Sequence, residues 1–229
     1  MKFPILELNQ FFDSIDLLQG IFSIWGDFGV GKTTLALQTA INTSEDNKKV
    51  IYIYTKPNLP YEKIIKLSKN PEDVLDGITI IKPTNFENLN KIIFNLEFLI
   101  LNNLTNNEDK LKLIIIDSIT DLYRLELNQE KKEKNYNLNY MLNQILANLA
   151  YLNETYNIQI IIVNEISRKI SKGQLIEVQS GDKIMEFWVN YNIKIIRTKN
   201  LNQRKFILIN TSKNCKSEFI SDLKEIGFI

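Results

Sequence analysis

Short apolar runs rich in β-branched residues recur along the chain, with stretches of helical periodicity between them. The runs are 21–25 (IFSIW), 50–54 (VIYIY), 78–81 (ITII), 113–116 (LIII) and 158–163 (IQIIIV). Each is too short for a helix and apolar at nearly every position, the pattern of parallel strands covered on both faces. Between the third and fourth runs, Phe86, Leu89, Ile93, Leu96 and Ile100 recur at helical spacing. Before the fifth, Leu138, Met141, Leu142, Ile145, Leu149, Leu152 and Tyr156 do the same. Strand and helix alternate, which predicts an α/β fold with a mainly parallel β-sheet between helices.

The pattern changes after residue 185. Residues 191–210 (YNIKIIRTKNLNQRKFILIN) hold two strand-like runs around the polar turn KNLNQ, followed by EFIS at 218–221 and EIGFI at 225–229. These predict a C-terminal antiparallel hairpin and edge over 185–229, added to the parallel sheet. With no repeat and no low-complexity linker, 1–229 reads as one domain with a short N-terminal segment at 1–20. The longest stretch without clear periodicity, 167–183, reads as a loop, and long loops in compact domains are often functional.

Composition narrows the function. The 229 residues are 44% hydrophobic, enough for a buried core. Twenty-eight Lys and Arg against 27 Asp and Glu give a net charge of +1, so no overall field draws the chain to nucleic acid, and any such contact is local. The single cysteine, Cys215, excludes an internal disulfide, and the absence of histidine removes the usual zinc sets. The N-terminus lacks a basic region followed by an apolar run, and no stretch approaches the roughly 18 apolar residues of a membrane span. A soluble, cytoplasmic protein with no membrane partner is expected.

The chemistry concentrates at residues 26–33, GDFGVGKT, which fit G-x-x-x-x-G-K-[ST] directly between a strand-like run and a helix-like TTLALQTA. In such a P-loop the glycines let the backbone turn its N–H groups inward, and the following helix aims its positive end at a phosphate. Gly26, Asp27, Phe28, Gly29, Val30, Gly31, Lys32, Thr33 and Thr34 are therefore the candidate nucleotide-binding residues. Lys32 supplies the cation for the outer phosphates, and Thr33 supplies a magnesium ligand. Asp117 ends the strand-like LKLIIID, where its carboxylate serves either as a magnesium anchor or as a helix N-cap. The upstream P-loop favours the metal. ATP and Mg2+ are the expected cofactors.

Asp117 and Ser118, Tyr123 and Arg124, and Asn164 with Glu165 and Ile166 resemble the motif series of the RecA-like recombinase ATPases, in particular the archaeal RadA/RadB group and its paralogues. Gly181, Trp188 and Gly227 match further family positions, and the resemblance runs from about Leu17 to the end. It implies a RecA-like P-loop NTPase fold and a role beside a recombinase in DNA recombination and repair. Partners implied are ATP, single-stranded DNA, and a RadA-type recombinase or another paralogue. Full-length recombinases carry an N-terminal DNA-binding domain and a Phe-x-x-Ala linker, whereas 20 residues precede the first strand here. A core-only protein without filament assembly is expected.

In the family, the second strand ends in Thr-Glu, and the glutamate polarises the attacking water. Here Thr55 is followed by Lys56, and a protonated lysine cannot take the water's proton. Binding with slow hydrolysis is the expected outcome. Two alternatives stand: Glu165, in place of the family's γ-phosphate-sensing Gln, substitutes as the base; or Lys56 points to solvent, leaving Glu62 as the nearest carboxylate.

The family's second DNA loop falls at 167–183, making Arg168, Lys169, Lys172 and Lys183 candidate DNA contacts, against the simpler reading of a solvated charged loop. The first DNA loop falls after Arg124, where Lys131, Lys132 and Lys134 alternate with Glu130 and Glu133. Tyr136 and Tyr140 there either stack on bases or, more commonly at a helix start, pack. Lys213 either clamps a neighbouring subunit's nucleotide or is solvated, and Cys215 reads as a free surface thiol. The rival reading is a KaiC-like ATP-binding module that scaffolds a protein complex without touching DNA.

Overall fold

The protein was described from a computed structural model, which covers the chain except residues 14–18, 60, 69, 106–110, 129, 172 and 212–214, with backbone only for 103–105. The elements run α1 (Leu6–Asp13), β1 (Ile21–Gly26), α2 (Lys32–Glu45), β2 (Lys49–Tyr54), α3 (Tyr61–Leu67), α4 (Pro71–Asp76), β3 (Ile78–Ile81), α5 (Phe86–Thr105) and β4 (Leu111–Asp117). They continue with α6 (Asp121–Glu126), α7 (Lys132–Tyr156), β5 (Gln159–Ser171), β6 (Gln174–Gln179), α8 (Asp182–Trp188), β7 (Val189–Arg197), β8 (Gln203–Asn210), β9 (Cys215–Lys224) and β10 (Gly227–Phe228).

Among the described residues these strands form one sheet in the order β10-β9-β8-β7-β1-β5-β4-β2-β3, with β6 paired to β5 outside that path. The stretch from β7 to β3 is parallel, and β8, β9 and β10 extend it antiparallel. The expected parallel sheet and C-terminal hairpin are both present. The apolar runs are continuous because side chains along a strand alternate between two covered faces. Val50, Tyr52, Leu113, Ile115, Ile161 and Val163 enter one core with α1, α2, α3 and α4. Ile51, Ile53, Ile114, Ile116, Ile160 and Ile162 enter the other with α5, α6, α7 and α8.

Two loop expectations are corrected. Residues 167–183 are not a loop: β5 runs on to Ser171 and returns as β6, an antiparallel ribbon with Arg168 opposite Glu177 and Ile170 opposite Leu175, and α8 then begins at Asp182. The turn between the strands includes Gly173 at φ 77, a left-handed conformation suited to glycine. Because both faces of the ribbon carry charged and apolar residues, no clean alternation marks it. The expected first loop is also mostly helix. α6 occupies 121–126, and α7 begins at Lys132, so Lys132, Lys134, Tyr136 and Tyr140 lie on the first turns of α7. Tyr136 and Tyr140 do not pack; both are exposed.

Candidate functional site

Alternation along the strands places Asp117 and Glu165 on the α2 side of the sheet, in step with Ile115 and Val163. Register brings them to the P-loop: Gly26 pairs with Glu165, Asp117 with Val163, and Tyr54 with Asp117. The site is thus the C-terminal edge of the parallel strands, where β1 turns into α2.

The P-loop turn needs glycine at particular positions. Gly31 has φ 105, and a Cβ there would lie 2.7 Å from the Phe228 ring. At Gly26 a Cβ would meet the Ile195 carbonyl oxygen at 2.3 Å. Two arginines that sequence reading missed brace the loop from outside. Arg197 donates to the Phe28 carbonyl at 2.7 Å, and Arg204 donates to the Val30 carbonyl at 3.2 Å. Both come from the C-terminal hairpin, remote in sequence, with no local motif to flag them. Phe28 itself is exposed at the tip of the loop.

Lys32 is buried, and its ammonium donates to Gly26 O at 2.9 Å, Asp27 O at 2.9 Å and Glu165 Oε2 at 2.8 Å. An ammonium has three donors, so all are engaged. Lys56 is also inside the site. Its Nζ lies 3.5 Å from Asp117 Oδ1, 3.8 Å from Glu165 Oε1 and 4.0 Å from Asp121 Oδ2. Burial works against its charge, but the carboxylates of Asp117, Asp121 and Glu165 outweigh that and hold its pKa above the ordinary lysine value. The solvent-pointing reading of Lys56 is therefore corrected: three carboxylates draw the side chain in. Glu62 is exposed on α3.

Asp117 is fully buried. Its Oδ2 accepts from the Tyr52 hydroxyl at 3.0 Å, whereas among the described residues Oδ1 accepts no hydrogen bond and lies 3.5 Å from the Lys56 ammonium. Burial first, then the charge and hydrogen bond of Asp117, push the Tyr52 hydroxyl pKa well up, so it stays a donor. Thr55 pins the turn after the aspartate, accepting from Ser118 N at 2.8 Å while its own N–H donates to Asp117 O at 2.8 Å. An orphaned buried carboxylate oxygen beside Lys56, which itself borders the cleft lined by Thr33, suits a cation shared with phosphates. Among the described residues no group of three or more His, Cys, Asp or Glu gathers to hold a metal without such help.

Two clefts meet here. One, of about 340 Å³, is lined by Gly29, Gly31, Lys32, Thr33 and Thr34 with Lys63, Leu223 and Lys224. The other, of about 620 Å³, is lined by Asp27, Asp121, Arg124, Ser167 and Arg168. Phe28, Lys56 and Glu165 border both. Lys63 was not foreseen: it donates to the Thr34 hydroxyl, and burial, partly opposed by Asp117, lowers its pKa.

The ribbon's basic residues are largely matched by acids. Arg168 lies 3.6 Å from Glu177, and Lys169 is bound to Asp182. Lys183 is exposed on α8, while Lys172 and Lys213 lie outside the described residues. At its base the ribbon is tied to the sheet by Gln179, which accepts from Ser23 and from Asn164 and donates to Asn192. Asn164 also accepts from Thr120 and donates to Ser180 O at 2.9 Å, so it anchors the ribbon and does not enter the clefts. Cys215 is a free, exposed thiol at the start of β9, as expected.

A glycine-rich turn feeding a helix N-terminus, a buried lysine within it and a strand-end aspartate beside it are the arrangement found in P-loop α/β proteins. The Rad51 family model matches residues 12–218. Relatives include the DNA repair and recombination protein RadB of Methanocaldococcus jannaschii, 34% identical over 82% of this chain and 82% of that protein. The RadB of Methanococcus maripaludis strain C5 is 33% identical over 79% of this chain and 78% of that protein. That of Thermococcus kodakarensis is 29% identical over 62% and 60%. The chain belongs to the Rad51 family of RecA-like proteins. Among its described residues no helix is long and apolar enough to cross a membrane.

Proposed function

We propose that this protein is an ATP-binding recombinase paralogue of the RadB type, acting in DNA recombination and repair beside a RadA-type recombinase, with slow hydrolysis. The names of its relatives support the process. The observation that supports slow turnover is Lys56, held protonated by three carboxylates at the position where the family resemblance implies a water-activating glutamate.

Lys32 and the backbone of residues 26–31 would hold the outer phosphates, while Thr33 and Asp117 Oδ1 would face a magnesium ion. Bound there, Mg2+ would neutralise phosphate charge. Lys56, fully donor, orients anions but accepts no proton. Glu165, the alternative base, has one lysine against each oxygen, so both oxygens are already engaged where a water would have to approach. Nucleotide state would then act through binding and assembly more than through turnover.

Single-stranded DNA would meet the ribbon through Arg168, Lys169 and Lys183, with the Lys172 position between them in sequence. Because Arg168 and Lys169 already face Glu177 and Asp182, that binding is weak and steeply salt-dependent. The same pairing favours the second reading, a KaiC-like scaffold that leaves DNA alone.

The test is calorimetric ATP binding with magnesium, together with single-turnover hydrolysis and single-stranded DNA binding across a salt series. Expected are clear ATP binding, lost in Lys32→Ala, negligible turnover, and DNA affinity falling with a log–log salt slope of about −2 to −3 for three or four phosphate contacts. Rapid turnover would overturn the slow-hydrolysis reading. An absence of DNA binding even at low salt would favour the scaffold.

A further inference from the structure

Glu165 stands where an anion is wanted. Its Oε2 lies 2.8 Å from Lys32 Nζ and its Oε1 lies 3.8 Å from Lys56 Nζ, so each oxygen takes one cation. A terminal phosphate would make the same demand on the same pair. With its other two donors on Gly26 O and Asp27 O, Lys32 has none to spare, and an incoming phosphate oxygen must displace an acceptor. The exchangeable one is the Glu165 side chain, because the two carbonyls belong to the turn itself.

The Glu165 backbone cannot give way as easily. It is in register with Gly26 of β1, and its carbonyl accepts from Ser180 N at 2.9 Å. Only the side chain is free to swing. The 620 Å³ cleft that Glu165 also borders carries Arg124 and Arg168 beside Asp27 and Asp121; Arg168 already faces Glu177, so Arg124 is the cation there for a displaced carboxylate. Left in place, it would set one negative charge against another inside a partly desolvated site, which is strongly unfavourable.

We infer that Glu165 is a specificity-determining residue of the phosphate site: its carboxylate holds the place of a terminal phosphate between Lys32 and Lys56. A nucleoside diphosphate then competes with the carboxylate at Lys32 at most, whereas a triphosphate binds only by displacing it from both lysines. The inference rests on the reading of the P-loop as a nucleotide site, and it adds a preference that the P-loop motif does not contain.

The experiment is titration calorimetry of ADP and a non-hydrolysable ATP analogue, with magnesium, on the full chain and on Glu165→Gln and Glu165→Ala. The parent is expected to favour ADP. Both variants are expected to tighten the ATP analogue by at least about tenfold, ~1.4 kcal/mol, more than they tighten ADP. Unfolding curves that keep a cooperative transition show that the variants are folded. The inference is overturned if both nucleotides shift together, or if the analogue binds no better or worse in the variants. If the parent binds neither nucleotide, the nucleotide-site reading itself fails, and the inference fails with it.

Discussion

Reversing the charge at Lys56 tests the electrostatic logic of the site most directly. In the parent, Lys56 Nζ faces Asp117, Glu165 and Asp121 at 3.5, 3.8 and 4.0 Å. At an effective dielectric of 20, each contact near 4 Å is worth about 4 kcal/mol before desolvation. Burial of the ammonium offsets most of that sum, and breaking such a buried pair typically costs about 3–5 kcal/mol. The Lys56 side chain is 27% exposed, which pulls the estimate for simple removal toward the lower end. Lys56→Glu adds repulsion from three carboxylates, one of them fully buried, and returns it to about 3–5 kcal/mol.

For a chain of this length that corresponds to a fall in Tm of roughly 6–20 °C. A glutamate at position 56 is therefore expected to weaken the fold before it speeds hydrolysis. Glu165→Gln in the same chain removes one repulsion. The double-mutant cycle between positions 56 and 165 should show coupling of at least about 1 kcal/mol. Urea or thermal unfolding of the parent, both single variants and the double variant supplies the four corners. The reasoning is refuted if Lys56→Glu melts within about 0.5 kcal/mol of the parent and the cycle is additive within about the same margin.

Gly31→Ala is expected to destabilise the protein by about 1–3 kcal/mol and to weaken nucleotide binding, because φ is 105 and the new Cβ falls 2.7 Å from Phe228; denaturant unfolding and calorimetry read the two effects. Arg197→Ala removes the bond to the Phe28 carbonyl, and nucleotide affinity should drop by about fivefold, ~1 kcal/mol, with a smaller change in melting. Glu218 lies 2.6 Å from Lys205 across the β8–β9 pair and 2.7 Å from Lys216 on its own strand, and these hydrogen bonds bring its carboxyl pKa down to about 2. Its folded pKa is depressed, so any contribution it makes is present above the ordinary carboxylate range and is lost as pH falls through about 2. Carboxyl titration by NMR should find that midpoint, and Lys205→Ala should raise it.

The parallel sheet was legible because a doubly covered strand is apolar at consecutive positions, and the P-loop because its chemistry needs contiguous residues. Lys56 was legible as a substitution at one position of a motif, and Cys215 as a lone thiol. The ribbon was not, since its two faces are alike in polarity and only its pairing to β5 makes it a strand. Nor were Arg197 and Arg204, which reach the P-loop from a hairpin more than 150 residues later in the chain. Local sequence thus determined the strands, the phosphate turn and the loss of the expected base, because each depends on neighbours along the chain. Tertiary structure alone decided that Lys32, Lys56, Asp117 and Glu165 share one ionic cluster, because strand register and the alternation of side chains bring these four charges together where β1, β4 and β5 end side by side.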